Sequence, residues 1–353
     1  MLGRHRRRQS RPFAVPLGGS LIAVLVVALV AAATGGAGGP PQVAAGPSAT
    51  PSGVEVPASG GPEGAAPKPE HRGTLVIHGT GDVSLDPDYI PAFRTEGYGW
   101  AWSGLGGLFK EDDLTVINLE CPATDVSAPE AKTFVFRCDP AALPVAKRFG
   151  VEVANVANNH AYEHGPEGLL DSIRNVRRAG LAAVGAGANR DRAFRATYFD
   201  LEGWKVAVVG IAEVLDPDYQ AAGPDKPGTT GHDLGLMLRA IREAAARADL
   251  VIVSIHWGYE LDTQPRGYQV DEAHRMIDAG ADVIFGHHAH RLQPMDTYRG
   301  RPIFYGLGNF VWPRLSEAGS TTAVARVRVT PEGRFRGRLL PASIVSDGHP
   351  VLR

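Results

Sequence analysis

No charged side chain interrupts the sequence between Pro12 and Val54. Long apolar runs are otherwise scarce, and the longest, 21–33, holds only small and aliphatic side chains. Preceded by Arg4, Arg6, Arg7, Arg8 and Arg11, it has the form of an export signal. Counted back to Phe13, it reaches about the 20 residues that a bilayer span requires. The expected organisation is a basic cytoplasmic arm over 1–12, a signal peptide or transmembrane anchor over 13–33, a disordered linker over 34–70 and one folded domain over 71–345. The linker is Gly, Pro, Ala and Ser with too little apolar surface to offset the entropy of ordering it. The positive-inside rule puts everything after Thr34 outside the membrane. Because Ala31, Ala32 and Ala33 also offer a cleavage site, the protein is expected either as a single-pass cell-membrane protein with an extracytoplasmic domain or as a secreted one. Arg7-Arg8 followed by Gln9, Ser10, Arg11 and Pro12 is a poor twin-arginine match.

Excess positive charge is missing too. Leaving out residues 1–33 removes five of the 36 Lys and Arg and none of the 38 Asp and Glu, so a formal −7 remains. That balance gives no general attraction to nucleic acid or to an anionic membrane surface, and a polyanionic partner would need a local basic patch. Cysteine is nearly absent: Cys121 and Cys138 can form one disulfide in an oxidising compartment or remain buried free thiols. No internal repeat is visible, which argues against a solenoid. The stretch 185–190 has Arg190 where a dinucleotide-binding fingerprint has its last glycine, which argues against a nucleotide cofactor there.

What is present reads as alternating strand and helix. Runs rich in β-branched residues at 74–78, 114–119, 152–156, 204–211, 250–255, 283–285 and 302–305 predict buried strands. Helices are predicted between them over 140–149, 166–179, 234–248 and 266–279. Alternating apolar positions at 322–329 and 333–340, across Pro331, Glu332 and Gly333, predict a C-terminal β-hairpin. The class is α/β, with mixed β-sheets flanked by helices, in one core.

Side chains able to bind metal stand where those strands end: Gly81-Asp82, Asn118-Leu119-Glu120, Asn158-Asn159-His160, Ser254-Ile255-His256 and Gly286-His287-His288-Ala289-His290. In α/β sheets, ligands collect beyond the carboxyl ends of strands, so such residues can share one cleft. A two-metal site needs a carboxylate bridging cations about 3.5–4 Å apart, with nitrogen and oxygen donors closing each sphere. This inventory supplies that set. Read singly, Asp82 is equally a turn residue and Asn158-Asn159 a helix cap. Three histidines among His287, His288 and His290 point more firmly to a metal, because imidazole is the commonest transition-metal donor.

Taken in order, GDVSL (81–85), NLECPAT (118–124), ANNHAYEHG (157–165), HWGYE (256–260) and GADVIFGHHAHRLQP (280–294) followed by YGLGNFVW (305–312) resemble the calcineurin-like metallophosphoesterase superfamily. The resemblance is closer to its CapA branch, linked to poly-γ-glutamate capsule synthesis, and covers about residues 75–312. It implies the sandwich fold of that superfamily. It also implies Asp82, Glu120, Asn159, His256, His288 and His290 as metal ligands. Glu120 would bridge, Asn159, His256 and His288 would complete one metal, and Asp82 and His290 the other. His160 would be the uncoordinated general acid. From the residues themselves, His287 either supports the ligands from behind or points away and packs, Asn158 supports them or caps a helix, and Glu163, His164 and Asn309 orient the site or form a turn. Ser84 stands where the superfamily carries a histidine, so one of the two metals should be held more weakly.

One or two divalent ions are therefore expected, with Mn, Fe and Zn equally suited to these donors. Two functions follow from the resemblance: a metal-dependent hydrolase or transferase in envelope-polymer biosynthesis, or a non-catalytic polymer-binding subunit of a membrane synthase. The expected partners are an anionic envelope polymer or phosphoester substrate, a membrane synthase complex, and the membrane through the N-terminal segment, with no nucleic acid.

Overall fold

The computed structural model describes residues 71–216 and 218–353; the basic arm, export segment and linker expected over 1–70 lie outside the described residues. The strand sequences are apolar at successive positions, the signature of strands covered on both faces. Two sheets result. In the first, β1 (Leu75–Val83) is followed on one side by parallel β2 (Leu114–Leu119), β3 (Val153–Asn155) and β4 (Ala182–Val184). On its other side run antiparallel β14 (Thr321–Val329), β15 (Phe335–Ser346) and β16 (His349–Leu352), while β13 (Asn309–Val311) lies parallel to the end of β1. The second sheet is centred on β9 (Leu250–His256), between parallel β7 (Trp204–Ala212) and β10 (Val283–His287). It is extended by β6 (Thr197–Leu201), β12 (Arg301–Phe304) and β11 (Met295–Tyr298), and a small third ladder pairs β5 (Ala186–Gly187) with β8 (Gly228–Thr229).

Leu75, Ile77 and Val116 from the first sheet meet Val206, Ile252 and Phe285 from the second in one buried layer. Each such side chain contributes roughly 1.5–3 kcal/mol by leaving water. A Cβ on Gly79 would stand 2.7 Å from the Phe285 ring, so a larger residue there would push the layers apart. Helices Ala142–Arg148 and Gly165–Arg178 cover the outer face of the first sheet through Leu143, Ala146, Leu169 and Val176. Helices Leu234–Ala245 and Gly267–Asp278 cover the second through Met237, Ile241, Ala273 and Met276.

The C-terminal hairpin is longer than its alternation suggested. β15 runs to Ser346, and a turn at Gly348 (φ 70°) adds β16, so the domain continues to Leu352, past the expected end at 345. No helix among the described residues is long and apolar enough to cross a membrane.

Candidate metal centre

Because β1, β2 and β3 are parallel, as are β7, β9 and β10, their carboxyl ends come together. Register does the rest: Asp82 pairs with Asn118 and with Asn309, and His256 pairs with His287. Gly81 permits this, since a Cβ there would lie 1.9 Å from the Gly308 carbonyl oxygen. Beyond β10 the chain turns through His288 at φ 87° and His290 at φ 52°, the left-handed region that residues with a Cβ seldom enter. Such strain costs on the order of 1–3 kcal/mol per residue and persists where the surroundings enforce it, often at functional sites.

Two donor groups share Glu120. Glu120, His256 and His288 have ligand atoms within 4.8 Å of one another, and so do Asp82, Glu120 and His290. Glu120 Oε1 lies 3.6 Å from His256 Nε2 and 3.8 Å from His290 Nε2, and His290 Nδ1 is 3.0 Å from Asp82 Oδ2. Asn159 joins the first group, its Oδ1 2.9 Å from His256 Nε2. The supporting residues are placed differently. The His287 ring shares a 2.9 Å hydrogen bond with Ser254 Oγ and its Nδ1 stands 3.9 Å from Asp82. Asn158 Nδ2 donates to the Leu119 carbonyl, and its Oδ1 accepts from His160 N. Asn309 Nδ2 donates to Gly319 O, which leaves its Oδ1 2.8 Å from His290 Nδ1. Ser84 is buried outside both groups, its Oγ accepting from Asp86 N.

The residues present fit a cation. Neither oxygen of the fully buried Glu120 carboxylate has a hydrogen-bond donor. Leaving a buried carboxylate uncompensated costs several kcal/mol. Burial, then the charge of Asp82, pushes Glu120 well above the usual carboxylate range. Burial works the same way on Asp82, but the His290 hydrogen bond and charge outweigh it and hold Asp82 low. Burial pulls His287 and His288 down to about 4, and His256 well below its ordinary value, so all three offer neutral nitrogens at neutral pH. A divalent ion would neutralise both carboxylates and take up the lone pairs of His256 and His288.

The contacts of several residues around the centre go beyond what their sequence positions indicated. Asn118 Nδ2 donates to Asp82 Oδ1 at 2.8 Å and stands 3.2 Å from His256 Nδ1, tying the two sheets together. Glu163, fully buried, accepts from His160 Nδ1 (2.6 Å), Lys132 Nζ (2.7 Å) and Phe136 N (2.6 Å). A cleft of about 450 Å³ opens over the site between Lys132, Phe136, His160, His290, Arg291 and Trp312. Cys121 and Cys138 are joined, with Cα atoms 5.5 Å apart, and Leu85 N donates to Cys138 Sγ, so the bridge fastens the β1 and β2 ends that carry Asp82 and Glu120.

A family model described as Bacterial capsule synthesis protein PGA_cap matches residues 76–314. The PGA biosynthesis protein CapA of Bacillus subtilis is 33% identical over 240 residues, 67% of this chain and 63% of that protein. A probable polyglutamine synthesis accessory protein of Mycobacterium tuberculosis is 30% identical over 267 residues, 69% of this chain and 68% of that one. The chain thus spans less than two thirds of the length of the Bacillus relative. Among solved structures, the NAD nucleotidase of Haemophilus influenzae superposes with TM-score 0.50 at 14% identity, over 78% of this chain and 51% of that one. This last likeness concerns the fold, which is the expected calcineurin-like arrangement of mixed sheets flanked by helices.

Proposed function

The chain belongs to the bacterial capsule synthesis protein family, and on that premise we propose that it is a metal-dependent hydrolase or transferase. Its proposed substrate is an anionic envelope polymer of the poly-γ-glutamate kind, met outside the cytoplasmic membrane. One observation carries the reading: Glu120, buried and without a hydrogen-bond donor, is common to two groups of metal donors, and Asn159 and His290 beside it line an open cleft. Asp82, Asn159, His256, His288 and His290 would hold the metal with it. When bound, a divalent cation supplies Lewis-acid polarisation and neutralises developing negative charge.

The chain's own residues supply the rest. Glu163 accepts a hydrogen bond from His160 Nδ1 and fixes the tautomer, leaving Nε2 to exchange a proton with the leaving group. Arg291 and Lys132, the latter already paired with Glu163, line the cleft beside Glu260 and are the cations that a carboxylate-bearing chain would meet, while Phe136 and Trp312 pack on the His160 and His290 rings and screen them from water. The location outside the membrane is supported by the Arg-led apolar segment and by the Cys121–Cys138 bridge, which suits an oxidising compartment.

The test is turnover. Purified protein supplied with Mn or Zn should shorten or transfer poly-γ-glutamate, or cleave a phosphoester, and Glu120→Gln should abolish this. Absence of turnover with every divalent metal would rule the enzyme out.

A second reading, a polymer-binding subunit of a membrane synthase, is favoured by a separate feature. Arg326 pairs with Arg338, and Arg328 with Arg336, across β14 and β15, and the four line one concavity. Like charges directly opposite destabilise a strand pair, so a polyanion lying along this ladder would relieve the repulsion. Charge reversal at Arg328 and Arg336 should weaken poly-γ-glutamate binding at least about tenfold, with a reduced salt dependence. Unchanged affinity would remove the ladder from polymer recognition.

A further inference from the structure

One strand away from the centre, a second set of donors converges from three elements. Glu213 follows β7, His232 lies in the turn before helix Leu234–Ala245, and Glu272 sits in helix Gly267–Asp278. Their ligand atoms lie within 4.8 Å of one another, with His232 Nε2 3.2 Å from Glu272 Oε1 and 4.0 Å from Glu213 Oε1. The two carboxylate side chains are only 5% and 9% exposed. Among the described residues, His232 is the one basic group paired with either of them. Glu213 Oε1 and Glu272 Oε2 are buried with no hydrogen-bond partner.

Two carboxylates so placed repel each other, and while His232 reaches Glu272 Oε1, Glu213 Oε1 and Glu272 Oε2 have lost their hydration without gaining a donor. A solvated cluster of acidic residues would not look like this, because its oxygens would face water. His232 differs from the pair in being 51% exposed, which leaves an entry path for an ion from solvent.

We propose that Glu213, His232 and Glu272 form a second divalent-cation site, independent of the Glu120 centre. Two carboxylates and one imidazole are a donor set for zinc or manganese, with water completing the sphere. The ion would pin the chain that follows β7 against helix Gly267–Asp278. Glu213 N donates to the His256 carbonyl at 2.8 Å, so this clamp would also steady the strand end that carries one donor of the Glu120 centre.

The experiment counts zinc bound per chain by equilibrium dialysis of the full-length protein against zinc alone. His232→Ala, at an exposed position, should lower the count by one ion relative to wild type. In a Glu120→Gln, His288→Ala background one ion should remain, and adding Glu272→Gln should remove it. Far-UV circular dichroism checks that each variant is folded; if Glu272→Gln is not, the His232→Ala comparison decides. Equal counts in wild type and folded His232→Ala, or no zinc bound by a folded Glu120→Gln, His288→Ala protein, would overturn the proposal. The count needs no substrate, so it stands or falls separately from turnover at the Glu120 centre.

Discussion

Asp82 and Glu120 present oxygens within 4.8 Å of one another, yet their protonation is driven in opposite directions. His290 makes the difference: its imidazole is held above the ordinary histidine value by Asp82 against the pull of burial, and it leaves Glu120 as the member that a cation must discharge. His160 is balanced in a similar way. Burial lowers it, and the Glu163 hydrogen bond and charge partly restore it. Glu163→Gln would remove that restoring charge and lower His160 further. If His160 donates its proton from Nε2, the alkaline fall of kcat should then begin at lower pH in Glu163→Gln than in wild type. His160→Ala should keep its metal and lose kcat by about 10²–10⁴-fold, the usual size of a general-acid contribution. A kcat–pH profile identical to wild type in Glu163→Gln would remove Glu163 from this role. At this scale, the histidine cluster was legible because three imidazoles in four positions have few other uses. Glu163 was legible only as a residue that orients the site or forms a turn, and Asn118 only as one of several strand-end donors, since an amide or carboxylate that orients a ligand from behind leaves no spacing to read.

The elements that carry the site were readable for a physical reason. β2, β9 and β10 are buried on both faces, so their sequences are rich in β-branched and aliphatic residues, with the polar ones gathered toward their carboxyl ends. β6 and β11 are half exposed at the sheet margin, β4 is two alanines and a valine, and β5 and β8 have two residues each; none shows a period. The bulge between Gly79 and Asp82, which brings Asp82 beside Asn118, is likewise a register event with no compositional mark. The Cys121–Cys138 bridge acts on these elements by closing a loop with a sequence separation of 17. Replacing both cysteines with serine should cost about 3 kcal/mol in urea unfolding and weaken metal binding, because Glu120 adjoins Cys121. Unchanged stability would mean that the bridge does not brace the β1 and β2 ends.

Over the whole molecule, two sheets stacked through one apolar layer place the ends of five strands at one edge, and sequence segments about 200 residues apart meet there, as Asp82 and His288 do (3.5 Å from His288 N to the carboxylate). No local pattern encodes that meeting; only the order of motifs, taken together, implied it. The decisive experiment is metal content per chain by plasma mass spectrometry. It would compare full-length protein purified without chelator with its Glu120→Gln variant. The wild type should retain at least one ion more per chain than the variant. Equal content in the two, after both are offered Mn and Zn, would contradict a metal centre built on Glu120.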